Sequence, residues 1–353
     1  MSFDSQVGQA PAHHVVLPFA ACSADGWVAA MQAMQALPAS QLHHIRQLLQ
    51  GMRALQTDLA EAGTLSPPHE RALARLHGLD GGSLRDGLIP WAAWERSQMP
   101  QRAPDDDTAL TRAWAHVTPC HWAMGREQAT LSDPEALGLT DTDARALMAA
   151  MQPYFETDGI TLHYVAPQRW LAEGEVFRGL PTASIDRVLG RSVDPWLPTA
   201  TAVAGSGAQA SQSKTLRRLQ NEMQMLLYTH PINNARASQR QTPVNSIWFS
   251  GTGDLPAPGR RPATQLSQRI STPRELARAA LSDDWAAYQQ AWRALDAGEL
   301  QALLAHQRAG GLARLTLCGE LGAQTFESAG LGLRNRLSQL FASPDVFGLL
   351  KAL

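Results

Sequence analysis

Two short apolar runs lie near opposite ends of the 353-residue chain, and each adjoins a segment with helical spacing. The first run, HVVLPFA at residues 14 to 20, precedes a helical pattern, and the second, LARLTLCGE at residues 312 to 320, follows one. Short apolar runs between helical segments are typical of strands that helices cover on both faces. We therefore predict an α/β fold in which a mainly parallel sheet takes strands from both ends of the chain.

The middle of the chain shows a different order of elements. Two strands are predicted for residues 114 to 132, followed by an amphipathic helix that Thr140 caps. Residues 159 to 172 alternate apolar and polar side chains about a central turn and predict a hairpin. Strands, helix and hairpin in this order are typical of a separate α+β unit.

Linker-like segments bracket this middle region. The acidic run PDDD precedes it, and PAPGRRPA follows it. We therefore predict three segments: the first part of the α/β core at residues 1–110, an inserted α+β ligand-binding-like domain at 111–258, and the second part of the core at 259–353.

Composition excludes several classes of partner. The net charge is -2, from 30 basic and 32 acidic residues, so the protein has no strong positive electrostatic field to attract a polyanion. Nucleic acid is therefore not a predicted partner. Cys22, Cys120 and Cys318 lie far apart and lack paired spacing, which excludes a disulfide framework and fits a reducing cytoplasm. No apolar run reaches the roughly 18 residues that suggest a membrane span. We expect a cytoplasmic protein without a membrane partner.

A dense group of hydrogen-bonding side chains at residues 228 to 254 lies between an apolar helix and an apolar strand. In one interpretation Asn233, Arg236 and Asn245 converge with His230 on an anionic ligand, because guanidinium and amide donors suit carboxylate or phosphate. In the other, the same side chains cap turns and satisfy loop backbone groups. The spacing leaves both interpretations open.

Other motifs are weaker. Gly251-Thr-Gly253 could bring backbone N–H groups to a phosphate, but no longer glycine motif continues it. His116, Cys120 and His121 match no usual metal-ligand spacing. No G-x-S-x-G motif marks a nucleophilic serine. The sequence therefore predicts no metal site and no cofactor.

Several long strings in the middle of the chain are specific enough to compare with a family: LRRLQNEMQMLLYTHPINNARASQRQTPVNSIWFSGTG, PCHW, LHYVAPQRWL and PTASIDRVLGRSVDPWLP. With these strings, which fall within most of residues 110 to 254, the chain resembles the RpfE-type regulatory protein family of proteobacteria. Members of that family are often labelled as cofactor-independent phosphoglycerate mutases.

A more distant resemblance is to the archaeal-type cofactor-independent phosphoglycerate mutases. In these enzymes a domain inserted into an alkaline-phosphatase-like core carries a hairpin arginine, a D-P pair, H-P-x-N-x-x-R, and a P-x-N before a G-x-G strand end. The resemblance implies that the arginines bind the anion, that asparagine and histidine orient it, and that the aspartate holds an arginine or a ligand hydroxyl. The matching residues here are Arg169, Asp194, His230, Asn233, Arg236 and Asn245.

The chain also departs from the mutase pattern. Ser250 stands where the mutases have an arginine, and Arg240 stands where they have a glycine. The mutases hold metal with an Asp after the first core strand and an Asp-His pair after a late one. Here Asp25 is the first acidic residue after the first strand, and the late strand ends in Cys-Gly-Glu320. Without a metal cage around a nucleophile, phosphoryl transfer of this kind keeps a high barrier.

Three functional hypotheses follow. The leading one is a non-catalytic regulatory protein, a pseudoenzyme with a degenerate alkaline-phosphatase-like core, that senses a small phosphorylated or carboxylated metabolite. A second is an active phosphoglycerate mutase or phosphatase with an atypical metal site. A third is a protein-interaction scaffold with an unknown partner.

Overall fold

The computed structural model describes residues 12–35, 42–80, 84–99, 111–198, 207–255, 268–328 and 345–353. The chain divides into two compact units. The first unit combines Met1–Ala62 with Ala263–Leu353, and the second is Gly63–Pro262.

Eleven strands are present in the described residues: β1 Ala12–Leu17, β2 Met52–Leu59, β3 Trp114–Cys120, β4 Trp122–Met124, β5 Ala129–Leu131, β6 Thr161–Ala166, β7 Arg169–Glu173, β8 Ser246–Gly253, β9 Gln268–Ser271, β10 Ala313–Cys318 and β11 Gly322–Ser328.

The α-helices of the described residues are α1 Asp25–Gln35, α2 His43–Gln50, α3 Pro68–Leu76, α4 Trp91–Gln98, α5 Asp141–Glu156, α6 Ile185–Val188, α7 Gly207–Tyr228, α8 Pro231–Ser238, α9 Glu275–Leu281, α10 Trp285–Leu295, α11 Gln301–Arg308 and α12 Val346–Lys351. A π-helical segment, Asp296–Leu300, joins α10 to α11. No helix in the described ranges is both long and apolar enough to cross a membrane.

The sheet of the first unit has five strands in the order β2-β11-β10-β1-β9. Strand β1 pairs in parallel with β10, from His13 opposite Ala313 to Leu17 opposite Leu317, and in parallel with β9 on its other side. The predicted pairing of strands from the two ends of the chain is therefore confirmed. The sheet is mixed, because β10 turns tightly into antiparallel β11, which pairs antiparallel with β2.

Strand β2 corrects one expectation. Helical propensity predicts a helix over residues 39 to 60, but α2 ends at Gln50 and residues Met52–Leu59 are extended. The hydrogen-bond partners of β2 come from β11, more than 260 residues later in the chain. Pairing of this kind is invisible to local propensity and overrides it.

Tyr288 on α10 fixes the turn after β1. Its buried hydroxyl lies 2.8 Å from the carbonyl oxygen of Phe19 and 2.9 Å from that of Ala20, and it accepts a hydrogen bond from Trp27 Nε1. Burial raises the pKa of Tyr288 well above its ordinary value, so the hydroxyl keeps its proton. Phe19 has a φ of 54°, a conformation that needs support from its surroundings.

Replacement of Tyr288 by phenylalanine is expected to lower the free energy of unfolding by about 1–3 kcal/mol, because buried groups lose their hydrogen-bond partner. Urea denaturation measures this loss. Exposed Tyr154, replaced in the same way, is the control and should stay within about 0.5 kcal/mol of wild type. Equal effects of the two changes would contradict the assigned role.

His14 is a core histidine of the first unit. Its Nε2 lies 2.7 Å from Thr316 Oγ1, and its Nδ1 lies 3.2 Å from Gln268 Nε2. Burial, with a smaller effect of the Arg314 charge, lowers the pKa of His14 to about 3. The imidazole is therefore neutral at physiological pH and contributes to the packing of the buried sheet.

The second unit contains an antiparallel sheet in the order β6-β7-β3-β8 and a separate hairpin, β4-β5. Helices α5 and α7 cover one face of the larger sheet, and Trp170, Phe155 and Phe249 are among the side chains in that core. The predicted 159–172 hairpin is present as β6-β7, and Thr140 Oγ1 accepts the predicted capping bond from Asp143 N. These elements confirm the α+β pattern, while insertion into the core at residue 111 stays a prediction.

Gly251 and Gly253 have a packing explanation. A Cβ at Gly251 would lie 3.0 Å from Trp91 Cβ, and a Cβ at Gly253 would lie 3.2 Å from Pro90 Cβ. Both glycines also have a positive φ. They allow α4 to approach β8 closely, so the G-x-G spacing needs no phosphate to explain it.

Candidate functional site

Asn233 on α8 holds the backbone on either side of its helix. Its Nδ2 donates to Leu227 O at 2.8 Å and to Val244 O at 2.7 Å, and its Oδ1 accepts from Val244 N at 2.9 Å. The buried amide thus joins the end of α7 to the residues that enter β8. Both of its polar ends are used by the backbone.

Arg236, also on α8, is only 2% exposed. Its Nε donates to Thr242 O at 2.9 Å, and its Nη2 donates to Leu137 O. Nη1 is buried and has no hydrogen-bond partner in the ranges that the structure covers. The guanidinium therefore ties α8 to its own following loop and to a 3-10 turn 99 residues earlier.

Asn245 and His230 also contact the backbone. Asn245 Oδ1 accepts from Trp122 N at 2.7 Å and its Nδ2 donates to Trp122 O at 3.0 Å, as a paired strand residue would. His230 Nδ1 accepts from Ile232 N at 3.3 Å and caps α8. These contacts fit the loop-holding interpretation, and anion binding by the same residues stays a prediction.

Arg169 and Asp194 lie in other surroundings. Arg169 Nε is 3.1 Å from Glu95 Oε1, and the other oxygen of Glu95 is 2.8 Å from His116 Nε2. Burial alone would raise the pKa of Glu95, but the hydrogen bond to His116 and the nearby charges outweigh it and lower that pKa. Asp194 is exposed and lines a cavity of about 490 Å³ together with Asn245. The six predicted residues therefore lie in several different environments.

A buried cluster of charged side chains connects helix α3, together with the residues just before it, to helix α6. His69 Nε2 lies 2.9 Å from Asp186 Oδ2, and Glu70 Oε1 accepts from Ser184 Oγ at 2.5 Å. Ligand atoms of His69, Glu70 and Asp186 all lie within 4.8 Å of one another, and these residue types suit a divalent cation. Spacing along the sequence does not reveal this group, because Asp186 lies 117 residues after His69.

Two buried arginines decide the charge of this cluster. Arg71 Nη1 donates to Ser66 O at 2.8 Å, and Arg187 Nη2 donates to Thr64 Oγ1 at 2.8 Å. The two guanidinium groups adjoin the two carboxylates in the sequence, and the formal charges of the four groups sum to zero when His69 is neutral. A structural ion network is therefore the better interpretation, because added divalent charge would be uncompensated.

A cavity beside helix α7, which we call the α7 groove, has a volume of about 880 Å³. Helix α7 buries Leu216, Leu219, Met223 and Leu227 against the sheet, so its intervening residues face outward. The groove is lined by Tyr154 of α5 and by Ser213, Lys214, Arg217, Arg218, Asn221, Glu222, Met225, Leu226 and Thr229.

The α7 groove is positively charged. Its lining holds three cations and one carboxylate, which leaves two net positive charges. Arg218 is committed to Glu222 at 2.8 Å and to both oxygens of Asp158 at 2.6 Å, and these contacts raise its pKa. Lys214 and Arg217 form no ion pair with any residue that the structure describes. These two exposed cations are therefore available to an anion.

The apolar spacing of α7 predicts its buried face but not a role for the opposite face. The signal was present as K-T-L-R-R at residues 214 to 218, which includes one of the two lysines in the chain. Only the fold shows that these cations border a groove with Tyr154 and Met225.

Comparison with known proteins shows distant similarity only. No family model matches the chain, and no curated protein matches it. Among solved structures the chain is similar to a cofactor-independent phosphoglycerate mutase from Thermoplasma acidophilum DSM 1728, with 12% identity and a TM-score of 0.35 over 98% of this chain and 99% of that one. It is also similar to the PH0037 protein from Pyrococcus horikoshii, with 10% identity and a TM-score of 0.46 over 91% and 88% of the two chains. Membership of the RpfE-type family stays a prediction.

Proposed function

We propose that this chain is a non-catalytic regulatory protein that binds a small phosphorylated or carboxylated metabolite in the α7 groove. The observation that carries this proposal is the pair of exposed cations, Lys214 and Arg217, at a groove with a net positive lining. A cytoplasmic location belongs to the same proposal.

The dimensions and lining of the groove support a metabolite-sized ligand. Its volume of about 880 Å³ falls in the range of small-molecule sites, roughly 300–1,000 Å³. Tyr154, Met225 and Leu226 offer apolar surface for the body of the ligand. Arg217 supplies a planar fork of donors and Lys214 a mobile point charge, a combination that suits a phosphate or carboxylate group.

The same lining supports binding rather than chemistry. It contains no imidazole and no thiol among the described lining residues, and Ser213 is fully buried. Its one carboxylate, Glu222, is engaged by Arg218. Histidine and carboxylate are common general bases, and the described lining offers neither in a free form, which favours binding over chemistry.

Thermal unfolding in the presence of phosphate, citrate, 3-phosphoglycerate and a medium-chain fatty carboxylate tests the proposal. At least one of these anions is expected to raise the Tm, because a ligand at a hundred times its Kd stabilises the native state by about 2.7 kcal/mol. The double variant Lys214→Ala/Arg217→Ala should lose the shift.

Arg126→Ala is the matched control, because exposed Arg126 lines the separate cavity of about 490 Å³. It should keep the shift. Absence of a shift with every anion, or loss of the shift in the control but not in the double variant, would reject the α7 groove as the site. Turnover of 3-phosphoglycerate that requires Mn²⁺ and stops on chelation would instead favour the active-enzyme hypothesis.

A further inference from the structure

Three polar side chains of the first unit meet where strand β1 begins. His13 is the second residue of β1, Glu299 lies in the π-helical segment, and His306 lies in α11. His13 Nε2 is 3.4 Å from Glu299 Oε1, and the ring centroids of His13 and His306 are 5.9 Å apart. We call these three residues the β1 cluster.

Each member of the β1 cluster has a buried polar atom without a hydrogen-bond partner among the described residues. These atoms are His13 Nε2, Glu299 Oε1 and His306 Nε2. The side chain of His13 is only 6% exposed, so solvent compensates it little. Buried polar atoms are nearly always hydrogen-bonded, because an unsatisfied one is costly. Three such atoms in one place indicate a ligand that they share.

The three atoms have one chemistry in common, because each can offer a lone pair. A carboxylate oxygen only accepts, and a neutral imidazole has one nitrogen that accepts. Burial, and after it the charge of nearby Arg269, lowers the pKa of His13, so its ring is neutral at physiological pH. A water molecule has two protons and can satisfy at most two acceptors. A divalent cation can bind all three.

The distances within the β1 cluster suit Zn²⁺. Zinc holds nitrogen and oxygen ligands tetrahedrally at about 2.0–2.2 Å, so two ligand atoms on one ion are roughly 3.3 Å apart. His13 Nε2 and Glu299 Oε1 are 3.4 Å apart. The same geometry places the ring centroids of two imidazoles on one ion roughly 5 Å apart. A shift on the order of 1 Å and a turn of the half-buried His306 ring therefore complete the site.

Gly311 leaves space for the His306 ring. A Cβ on Gly311 would lie 2.3 Å from both Cε1 and Nε2 of His306, so a larger residue would displace the imidazole. The backbone places His13 at the same point, because His13 N donates to Leu312 O at 2.9 Å. The close approach at Gly311 thus keeps both imidazoles beside the first residues of β1.

The charges around the β1 cluster permit a cation. Two histidines and one glutamate are an established donor set for zinc. The other acidic residue of the π-helical segment, Asp296, accepts from Ile45 N at 2.9 Å and caps α2, so Glu299 is the carboxylate that this segment can offer to an ion. Arg269, opposite His13 on β9, opposes a cation, but it is exposed and solvent screens its charge. The side chain of Glu299 is 24% exposed, so water can reach the ion.

We propose that His13, Glu299 and His306 bind Zn²⁺, with water as the fourth ligand. The ion links β1, the π-helical segment and α11, and it stabilises the first unit because the unfolded chain does not hold the three ligands together. All three residues belong to the first unit, so the site does not depend on anion binding in the α7 groove.

Titration of the chelator-treated full chain with Co²⁺, followed by visible absorption, tests the donor set. One equivalent is expected to give the intense bands of four-coordinate cobalt, and Zn²⁺ should displace the cobalt and abolish them. Glu299→Gln and His306→Ala should each raise the Kd for Co²⁺ at least about tenfold. Zn²⁺ should also raise the Tm of wild type and leave that of Glu299→Gln unchanged. Glu299→Gln keeps the size of the side chain, so it separates loss of a ligand from loss of packing.

His43→Ala is the matched control, because it removes an exposed histidine from α2 of the same unit. It should leave the Kd for Co²⁺ within about twofold. Glu70→Gln, in the cluster between α3 and α6, should also leave it unchanged. A wild-type chain that gives no cobalt bands, or binding that survives both Glu299→Gln and His306→Ala, overturns the proposal. So does binding that is lost in Glu70→Gln. Circular dichroism shows that each variant is folded.

Discussion

Replacement of Asp186 by alanine is expected to lower the free energy of unfolding by about 3–5 kcal/mol. Asp186 is 4% exposed and bonds to His69, within the network that holds α3 to α6. Loss of its carboxylate leaves a buried positive charge without compensation, and that residual charge accounts for most of the expected cost. Urea denaturation monitored by circular dichroism measures the change through the midpoint at constant slope.

Glu175→Ala is the matched control for this prediction. Glu175 forms an ion pair with Arg178, but its side chain is 71% exposed. The change should cost less than about 1 kcal/mol, because solvent screens exposed pairs. If Asp186→Ala is as mild as the control, the ion-network interpretation is wrong.

A chelator distinguishes the two interpretations of the same cluster. If arginines neutralise the carboxylates, treatment of the Glu299→Gln variant, which lacks the proposed zinc site, with a chelator should leave its Tm unchanged. A Tm that falls with the chelator and recovers with added Zn²⁺ or Mn²⁺ would show that His69, Glu70 and Asp186 hold a metal ion instead.

Replacement of Arg236 by alanine is expected to lower the free energy of unfolding by about 2–4 kcal/mol in the absence of any ligand. The loss follows from its contacts, because Leu137 O and Thr242 O would lose a charged donor. The two interpretations of Arg236 differ here. An anion-binding arginine would leave the free protein nearly as stable and would abolish an anion-dependent rise in Tm.

Arg240→Gly is the control for the Arg236 experiment. It removes the same charge from an exposed position just after α8, where φ is 57°. Glycine adopts a positive φ without the strain of a side chain, so this variant should be as stable as wild type or slightly more stable. The same geometry explains why a glycine suits this position. Stability lost equally in both variants would show a general effect of charge.

Local sequence patterns predicted the elements whose determinants are local. Thr140 caps its helix, residues 159 to 172 form a hairpin, and the apolar runs at the two ends form paired strands. Each of these rests on periodicity or capping chemistry that acts within a few residues. Local patterns did not predict the strand at residues 52 to 59, because its strand partner lies near the other end of the chain.

The polar residues of the 228–254 segment show where sequence reasoning stops. Sequence by itself determined that guanidinium, amide and imidazole groups are concentrated there. Only the tertiary structure decided that Arg236 reaches a carbonyl 99 residues away while Lys214 and Arg217 face an open groove. A donor binds whichever acceptor the fold leaves unpaired beside it, and long-range packing, unlike spacing along the chain, determines which acceptor that is.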